Sequence, residues 1–169
     1  TTHPDLATYL GGSSQHPIDR VGCAVCHEGQ GQSVSFRDAA HMPVPDGFAT
    51  KMALHCSFEH FEGESDIGFV REAGRVLRPG GALCLVPLYL FEEYAIQTDP
   101  EVAVSSGVKF EDDATVYCAQ GWGNRHGRFY DPEHLTARVL GHAGPMSVEI
   151  YRITNVEQVD PSCYVRFAM

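Results

Sequence analysis

The sequence predicts an α/β fold in which a parallel sheet follows an irregular N-terminal segment. Three consecutive stretches favour this class: the apolar run "ATKMALHCSF" at 49–58, a segment with helical spacing at 65–77, and the apolar run "ALCLVPLYL" at 82–90. Apolar runs bounded by turn residues are typical of buried strands. The order strand, helix, strand predicts a βαβ unit with parallel strands and a right-handed crossover.

The first part of the chain differs in composition from the rest. Residues 1–33 are rich in Gly, Ser, His, Pro and Gln and contain no strong strand pattern, so they are predicted to be irregular. The α/β domain is expected to cover residues 34–169, beginning with a short strand "SVSF" at 33–36 and a turn-rich loop "HMPVPDG" at 41–47.

The helix is predicted over residues 65–78, because its apolar residues recur every three or four positions. Ser65 or Asp66 is expected to cap its start, and the Pro-Gly-Gly triplet at 79–81 is expected to end it. The residues expected to face the sheet are Val70, Ala73 and Leu77, and those expected to be more exposed are Arg71, Glu72 and Arg75.

The remaining elements follow from similar patterns. The run at 82–90 is continuously apolar, which predicts a strand buried on both faces. Residues 92–128 are predicted to be irregular. A second helix is expected from Asp131 as cap and Pro132 as first helical residue, ending at Gly141 or Gly144. The β-prone runs 146–155 and 162–169 predict a closing antiparallel pair.

Composition restricts the classes of function. The 169 residues suit one domain, and a net charge of −10 disfavours binding to nucleic acid or to anionic membranes. No apolar run approaches the roughly 18 residues of a membrane span. Only two of the six cysteines form a motif. The other four are expected to be buried as small hydrophobic residues: Cys56, Cys84, Cys118 and Cys163.

The stretch from "RDAAHMPVPDG" through "RVLRPGG" to "ALCLVPLYL" resembles the second half of a class I S-adenosylmethionine-dependent methyltransferase. The resemblance covers residues 34–169 and rests on the Asp38 loop together with the helix end "RVLRPGG". It implies a truncated Rossmann-like methyltransferase sheet. It also implies a cytoplasmic protein that uses S-adenosylmethionine and acts on a small molecule.

The same resemblance assigns cofactor contacts to residues of this chain. Asp38 would accept a hydrogen bond from the adenine amino group, and Ala39 would offer its backbone N–H to the ring. Leu54 and His55 would lie beside the methyl donor, where open α/β sheets place ligands. The alternative for Asp38 is a solvated turn residue without a ligand.

Two histidines are candidate general bases, His55 and His60, since imidazole accepts a proton near neutral pH. The alternative is a structural role for each. A Gly-flanked polar cluster is a candidate lining for the substrate pocket, or alternatively a surface turn: Trp122, Asn124, Arg125 and His126.

One part of the family pattern is missing. These enzymes hold their cofactor with a Gly-rich turn after the first strand, but this sequence has no "GxGxG", and "YLGGSS" at 9–14 follows no strand-like run. The site is therefore expected to be degenerate, and a non-enzymatic binding or assembly protein is an alternative. The uncovered side of the sheet predicts a homodimer.

The N-terminal segment contains a second motif, "CAVCH", formed by Cys23, Cys26 and His27. Residues 3–41 resemble part of a multihaem c-type cytochrome, which implies covalent haem c and a periplasmic or extracellular electron carrier. The candidate sixth iron ligands are His3, His16 and His41. There are two alternatives: the two cysteines have a zinc-binding or redox role, or the motif binds no group. A Soret band that survives acid–acetone extraction would establish haem.

Overall fold

The computed structural model describes residues 39–155, apart from the side chains at 105 and 106, and this part of the chain is mixed α/β. Its helices and strands, in order, are β1 (Ala49–His55), α1 (Ser65–Val76), β2 (Leu77–Val86), β3 (Ala95–Thr98), α2 (Pro100–Ser106), β4 (Thr115–Cys118), β5 (Gly127–Phe129) and α3 (Pro132–Arg138). Two short 3-10 helices cover Phe58–His60 and Leu140–His142. None of the helices within 39–155 is long and apolar enough to cross a membrane.

The predicted βαβ unit is present. Strands β1 and β2 pair in parallel, with Met52 opposite Leu83 and Leu54 opposite Leu85, and α1 connects them. The side chains of Met52 and Leu54 are buried, whereas those of Lys51 and His55 are exposed. This alternation turns one face of β1 towards α1 and the core.

The turn "RPGG" lies inside β2 rather than between helix and strand. Ala49 faces Leu77 and Lys51 faces Ala82, so residues 78–81 bulge out of the ladder. A Cβ atom on Gly81 would lie 2.9 Å from the Arg78 carbonyl oxygen, which explains why only glycine fits there. The triplet was predicted to end the helix, but it forms an irregularity inside β2 instead, after the helix has ended at Val76.

Burial of the second strand on both faces was a wrong prediction. Leu83 and Leu85 pack against the core, but Cys84 is exposed and the side chain of Val86 is 39% exposed. The described residues cover only the α1 side of the two-stranded sheet, and within residues 39–155 nothing packs on the opposite face of β2. Cys118 on β4 is exposed as well, Cys56 is half-buried, and Cys163 lies outside the described residues.

Helix α1 agrees with its predicted span, but some of its residues lie elsewhere than expected. Val70 and Ala73 are buried as predicted, whereas Leu77 begins β2 and is half-buried. Glu72 was expected to be exposed and is buried, because its carboxylate accepts the Met42 N–H and an Arg75 hydrogen bond.

The start of α1 also differs from the prediction. Glu64 occupies the capping position, and no side chain caps the helix. The residue Asp66, expected as a possible cap, is instead fully buried in a network of ion pairs.

The prediction of an irregular segment over residues 92–128 was wrong. Strand β3 pairs in parallel with β4 and antiparallel with β5, giving a three-stranded sheet in the order β4-β3-β5. Helix α2 has a complete set of end signals: Asp99 accepts the Glu101 N–H at 3.1 Å, Pro100 is its first residue, and Gly107 ends it with a left-handed φ of 66°.

The C-terminal predictions had mixed outcomes. Asp131 caps α3 by accepting the His134 N–H at 2.7 Å, and Pro132 begins the helix, both as predicted. The helix ends at Arg138 and a 3-10 turn follows, so neither predicted glycine ends it. Residues 146–155 form no strand. Their expected partner at 162–169 lies outside the described residues, as does the predicted strand at 33–36.

Aromatic side chains dominate the core between α1, the first 3-10 helix and β5. Phe58 packs against Phe61 with ring centroids 5.6 Å apart and against Tyr130 at 6.1 Å. Phe61 packs edge-on against Phe69 at 5.5 Å. This cluster fixes the segment that follows β1 against the end of β5.

Candidate functional site

The carboxyl end of β1 terminates in a sharply bent backbone. Cys56 has a φ of 49°, which is uncommon for a residue other than glycine. Its N–H donates to the Val86 carbonyl oxygen at 2.9 Å, and the Ser57 hydroxyl donates to the His55 carbonyl oxygen at 3.0 Å. These bonds hold the turn at the edge of the parallel pair, and backbone conformations of this kind are frequent at functional sites.

His55 lies on the exposed side of this turn. Its Nε2 atom is 3.7 Å from the Cys56 Sγ atom. The preceding residue Leu54 is 2% exposed and packs in the core, so only its backbone is available at the strand end.

His60 and His126, which are far apart in the sequence, hold each other in place. The Nδ1 atom of His60 lies 2.5 Å from the His126 carbonyl oxygen, and the Nδ1 atom of His126 lies 3.2 Å from the Glu59 carbonyl oxygen. Because a carbonyl oxygen only accepts, each imidazole must donate from Nδ1. The two contacts connect the first 3-10 helix to the residue that precedes β5.

His126 is 1% exposed. Burial and the nearby Arg128 charge together lower its pKa to about 3. The imidazole is therefore neutral at physiological pH. Its buried Nε2 atom has no hydrogen-bond partner among the described residues.

Glu59 is a buried carboxylate that sequence analysis did not select. Its Oε1 atom lies 3.7 Å from the His60 Nε2 atom, and its buried Oε2 atom has no hydrogen-bond partner within 39–155. Burial raises the pKa of Glu59, while the charges of His60 and His55 oppose that rise. The carboxylate therefore lies beside His60, one of the two histidines that were predicted as general bases.

The predicted substrate cluster lies next to His60. The Trp122 ring centroid is 6.0 Å from that of His60, and a Cβ atom on Gly127 would lie 2.6 Å from the indole. The absence of a side chain at Gly127 thus lets the indole pack on β5. Arg125 forms an ion pair with Glu62.

The loop that carries this cluster is fixed to the end of β3. The Asp99 carboxylate accepts the Gly123 N–H at 2.8 Å, and the Thr98 hydroxyl donates to the Arg125 carbonyl oxygen at 2.7 Å. Asn124 is exposed, and its carbonyl oxygen accepts the Asp99 N–H at 2.8 Å. The predicted cluster in the loop before β5 is thus held beside His60, which was predicted separately as a general base.

A buried ionic network lies behind this cluster. Asp66 and Arg128 are both 0% exposed, with Oδ2 and Nη1 2.9 Å apart. Arg138 donates to Asp66 at 2.8 and 2.9 Å, and the Tyr130 hydroxyl donates to it at 2.7 Å. Glu111 pairs with Arg128 on the other side. The network joins α1, β5 and α3, so it positions the strand that follows His126.

Not all the predicted site residues can be placed. Ala39 is half-buried in a turn and packs against the core. Asp38 and the whole "CAVCH" motif lie outside the described residues, as do His3 and His16. His41 is described and exposed. Within the described part of the chain, no group of three or more His, Cys, Asp or Glu residues could hold a metal ion.

Comparison with known families gives one match. A family model described as a methyltransferase domain matches residues 16–85, which end within β2. This supports a methyltransferase region in the first half of the chain. The match includes the "CAVCH" motif, and no comparison supports the cytochrome resemblance. No curated protein and no solved structure matches the chain.

Proposed function

We propose that this chain is an S-adenosylmethionine-dependent methyltransferase-like protein that acts on a small molecule. The observation that carries the proposal is the parallel β1–α1–β2 unit, which lies largely within the region matched by the methyltransferase domain. We infer that this pair belongs to a Rossmann-like sheet, whose ligands bind beyond the carboxyl ends of the strands. The proposal places the protein in the cytoplasm and includes no nucleic-acid partner.

The loop that follows Asp38 is well supported, which favours a cofactor contact there. Glu72 accepts the Met42 N–H at 2.7 Å, and Arg75 donates to the Met42 carbonyl oxygen at 3.1 Å. Gly68 provides space for the loop, because a Cβ atom there would lie 2.5 Å from the Ala40 Cβ. These contacts hold the turn at Ala39 against α1. Asp38 precedes this turn in the sequence, and the proposal assigns it to the adenine amino group.

The carboxyl end of β1 would receive the other part of the ligand. The His55 side chain is exposed there, and the bend at Cys56 turns the chain away from the sheet. Leu54 would contribute only its backbone. When bound, S-adenosylmethionine supplies an electrophilic methyl group. Without a Gly-rich loop these residues fit the adenosyl end alone, so we expect weak binding.

Calorimetry of the full chain with S-adenosylhomocysteine tests this proposal. We expect saturable binding. Adenosine should bind and inosine should bind more weakly, because inosine lacks the amino group from which Asp38 would accept a hydrogen bond. No heat from S-adenosylhomocysteine would favour the alternative, a non-enzymatic binding or assembly protein.

A further inference from the structure

We propose that Glu59 and His60 form a proton-accepting pair for a methyl acceptor whose nucleophilic atom is a hydroxyl or an amine, beside a buried acceptor atom of His126. This inference rests on the proposed function and deepens it, because it names the partner of one candidate base and the chemical class of the substrate.

The backbone contacts of the two histidines decide which ring nitrogen carries a proton. The Nδ1 atoms of His60 and His126 both face carbonyl oxygens, at 2.5 and 3.2 Å. A carbonyl oxygen cannot donate, so both rings hold a proton on Nδ1. In the neutral form, each Nε2 atom is therefore left with a lone pair that can accept.

The lone pair on the His60 Nε2 atom lies next to the Glu59 carboxylate. The His60 Nε2 atom and the Glu59 Oε1 atom are 3.7 Å apart, and without a proton between them two acceptors face each other. The Glu59 side chain is 7% exposed, so water screens this repulsion only weakly. The His60 side chain is 24% exposed, which leaves it accessible to a substrate. A single proton taken from the substrate satisfies both groups.

Two further atoms select a substrate that donates hydrogen bonds. The His126 Nε2 atom and the Glu59 Oε2 atom are buried and have no hydrogen-bond partner in the described part of the chain. Buried acceptors left unpaired are costly, and in folded proteins they are usually satisfied by water or by a ligand. A hydroxyl or amine supplies the missing donor, whereas an ether or a thioether does not.

The groups around Glu59 are compatible with this role. His60 lies on the same 3-10 helix as Glu59, and His126 contacts the Glu59 backbone from the segment before β5. The charges of His60 and His55 both lower the pKa of Glu59. Burial raises the pKa of Glu59, which favours proton uptake by the carboxylate.

With a sulfonium compound as donor, the methyl group would pass to the acceptor in one step. The acceptor oxygen or nitrogen forms a bond to the methyl carbon while the bond from that carbon to sulfur breaks. The electron pair of the broken bond stays on sulfur, which becomes a neutral thioether. The proton of the acceptor moves to the Glu59–His60 pair, from which water removes it.

The tautomers of His60 and His126 can be determined by NMR without a bound cofactor and without an activity assay. A long-range ¹H–¹⁵N spectrum of the full chain at neutral pH should show neutral His126 protonated at Nδ1, and His60 protonated at Nδ1 as well. An Nε2-protonated neutral tautomer at either ring would overturn the proposal. Because no ligand is present, this result is independent of S-adenosylhomocysteine binding, which tests the proposed function.

The coupling of the pair is tested by following the Glu59 side-chain carbon by ¹³C NMR across pH. His60→Asn should raise the midpoint of the Glu59 titration, because the opposing positive charge is lost. His142→Asn is the matched control, since His142 contacts Arg71 and should leave the midpoint unchanged. His60→Gln serves as a second variant, and circular dichroism verifies folding. An unchanged midpoint in folded His60 variants would overturn the pair.

The substrate class is tested with two probes of similar shape. Phenol, which donates a hydrogen bond, should shift the Glu59 carboxyl carbon and the His126 ring resonances in the full chain. Anisole, which carries a methyl group in place of that hydrogen, should shift them much less. Equal effects, or no shift with phenol, would contradict a site for hydrogen-bond donors.

Discussion

The buried carboxylate of Asp66 connects α1, β5 and α3, and Asp66→Asn removes its charge while keeping its shape. In the native chain it accepts hydrogen bonds from Arg138, Tyr130 and the Ile67 N–H, and it pairs with Arg128 at 2.9 Å. The substitution removes the buried counter-charge that two guanidinium groups share and leaves them the partly exposed Glu111. One of them, on Arg128, is 0% exposed and cannot turn to water.

The magnitude follows from the burial of both partners. Breaking a buried ion pair by removing one side typically costs about 3–5 kcal/mol. Hydrogen bonds to a charged group contribute about 1.5–3 kcal/mol each, but an asparagine retains part of them. We therefore expect Asp66→Asn to lower the free energy of unfolding by about 3–5 kcal/mol, a large fraction of the roughly 5–15 kcal/mol of a typical domain.

The pH dependence of this effect has a defined sign. Burial raises the pKa of Asp66, but the hydrogen bonds from Arg138 and the charge of Arg128 outweigh burial and hold that pKa below its ordinary value of 3.8. A carboxyl whose pKa is depressed on folding stabilises the protein above its unfolded-state pKa. This stability is lost as the pH falls through the folded-state pKa. The difference between parent and variant should therefore be constant near neutral pH and shrink at pH values below 3.8.

Urea unfolding monitored by circular dichroism at several pH values measures both effects. Asp46→Asn is the matched control, because Asp46 pairs with Arg75 at 2.6 Å but its side chain is 83% exposed. Such a surface pair contributes about 0–1 kcal/mol. A loss of stability for Asp66→Asn no larger than that of the control, or a difference that grows in acid, would contradict a stabilising role for the Asp66 charge.

Three further predictions concern the ligand, the core and the assembly. Asp38→Ala should weaken binding of S-adenosylhomocysteine by about 1–3 kcal/mol in calorimetry, and an unchanged affinity would remove Asp38 from the site. Phe69 is 0% exposed, and Phe69→Ala should lower the free energy of unfolding, measured in urea, by about 3–5 kcal/mol. Leu77 is half-buried, so Leu77→Ala should lower the free energy of unfolding by less. A larger loss for Leu77→Ala than for Phe69→Ala would mean that the buried face of α1 is misassigned. Static light scattering should detect a homodimer, because β2 presents an exposed face with Val86 at 39% exposure, whereas a monodisperse species of 18.5 kDa would contradict it.

Periodicity predicted the elements whose signals are local. The βαβ unit was recognisable because two apolar runs flank a segment of helical spacing, and α3 because Asp131 and Pro132 mark its start. Helix α2 has the same Asp-Pro signature at Asp99 and Pro100, followed by a glycine, so its sequence contained a usable signal that was missed. The polar texture around it favoured an irregular prediction instead.

Burial was harder to predict, because it depends on neighbours that are distant in the chain. A continuous apolar run indicates a strand but does not reveal how many faces are covered, and Cys84 proved to be exposed. In the same way, a β-prone run such as 146–155 forms a strand only when another strand pairs with it. Asp66 was expected as a possible cap, since nothing local reveals its partners Arg128 and Arg138, which are distant in the chain. Glu72 was expected to be exposed, although its partner Arg75 is only three residues away.

The candidate site was likewise predictable only in its residue types and not in its contacts. The types of residue at His60 and in the Trp122 cluster suggested chemistry, but their contact depends on how the 3-10 helix packs against the start of β5. Glu59 could not be selected from the sequence, because an acidic residue in "EHFEGESD" is usually solvated. Only its burial beside His60 distinguishes it from the neighbouring carboxylates.

The proposed function requires an adenosyl ligand to bind at the carboxyl end of β1, next to the loop that follows Asp38. A ¹H–¹⁵N correlation spectrum of the full chain, titrated with S-adenosylhomocysteine, tests it most directly. We expect saturable shifts at Ala39, His55 and Cys56, with little change at Thr115–Cys118 on β4. Saturable shifts confined to other parts of the chain, or no shifts at millimolar ligand, would contradict it.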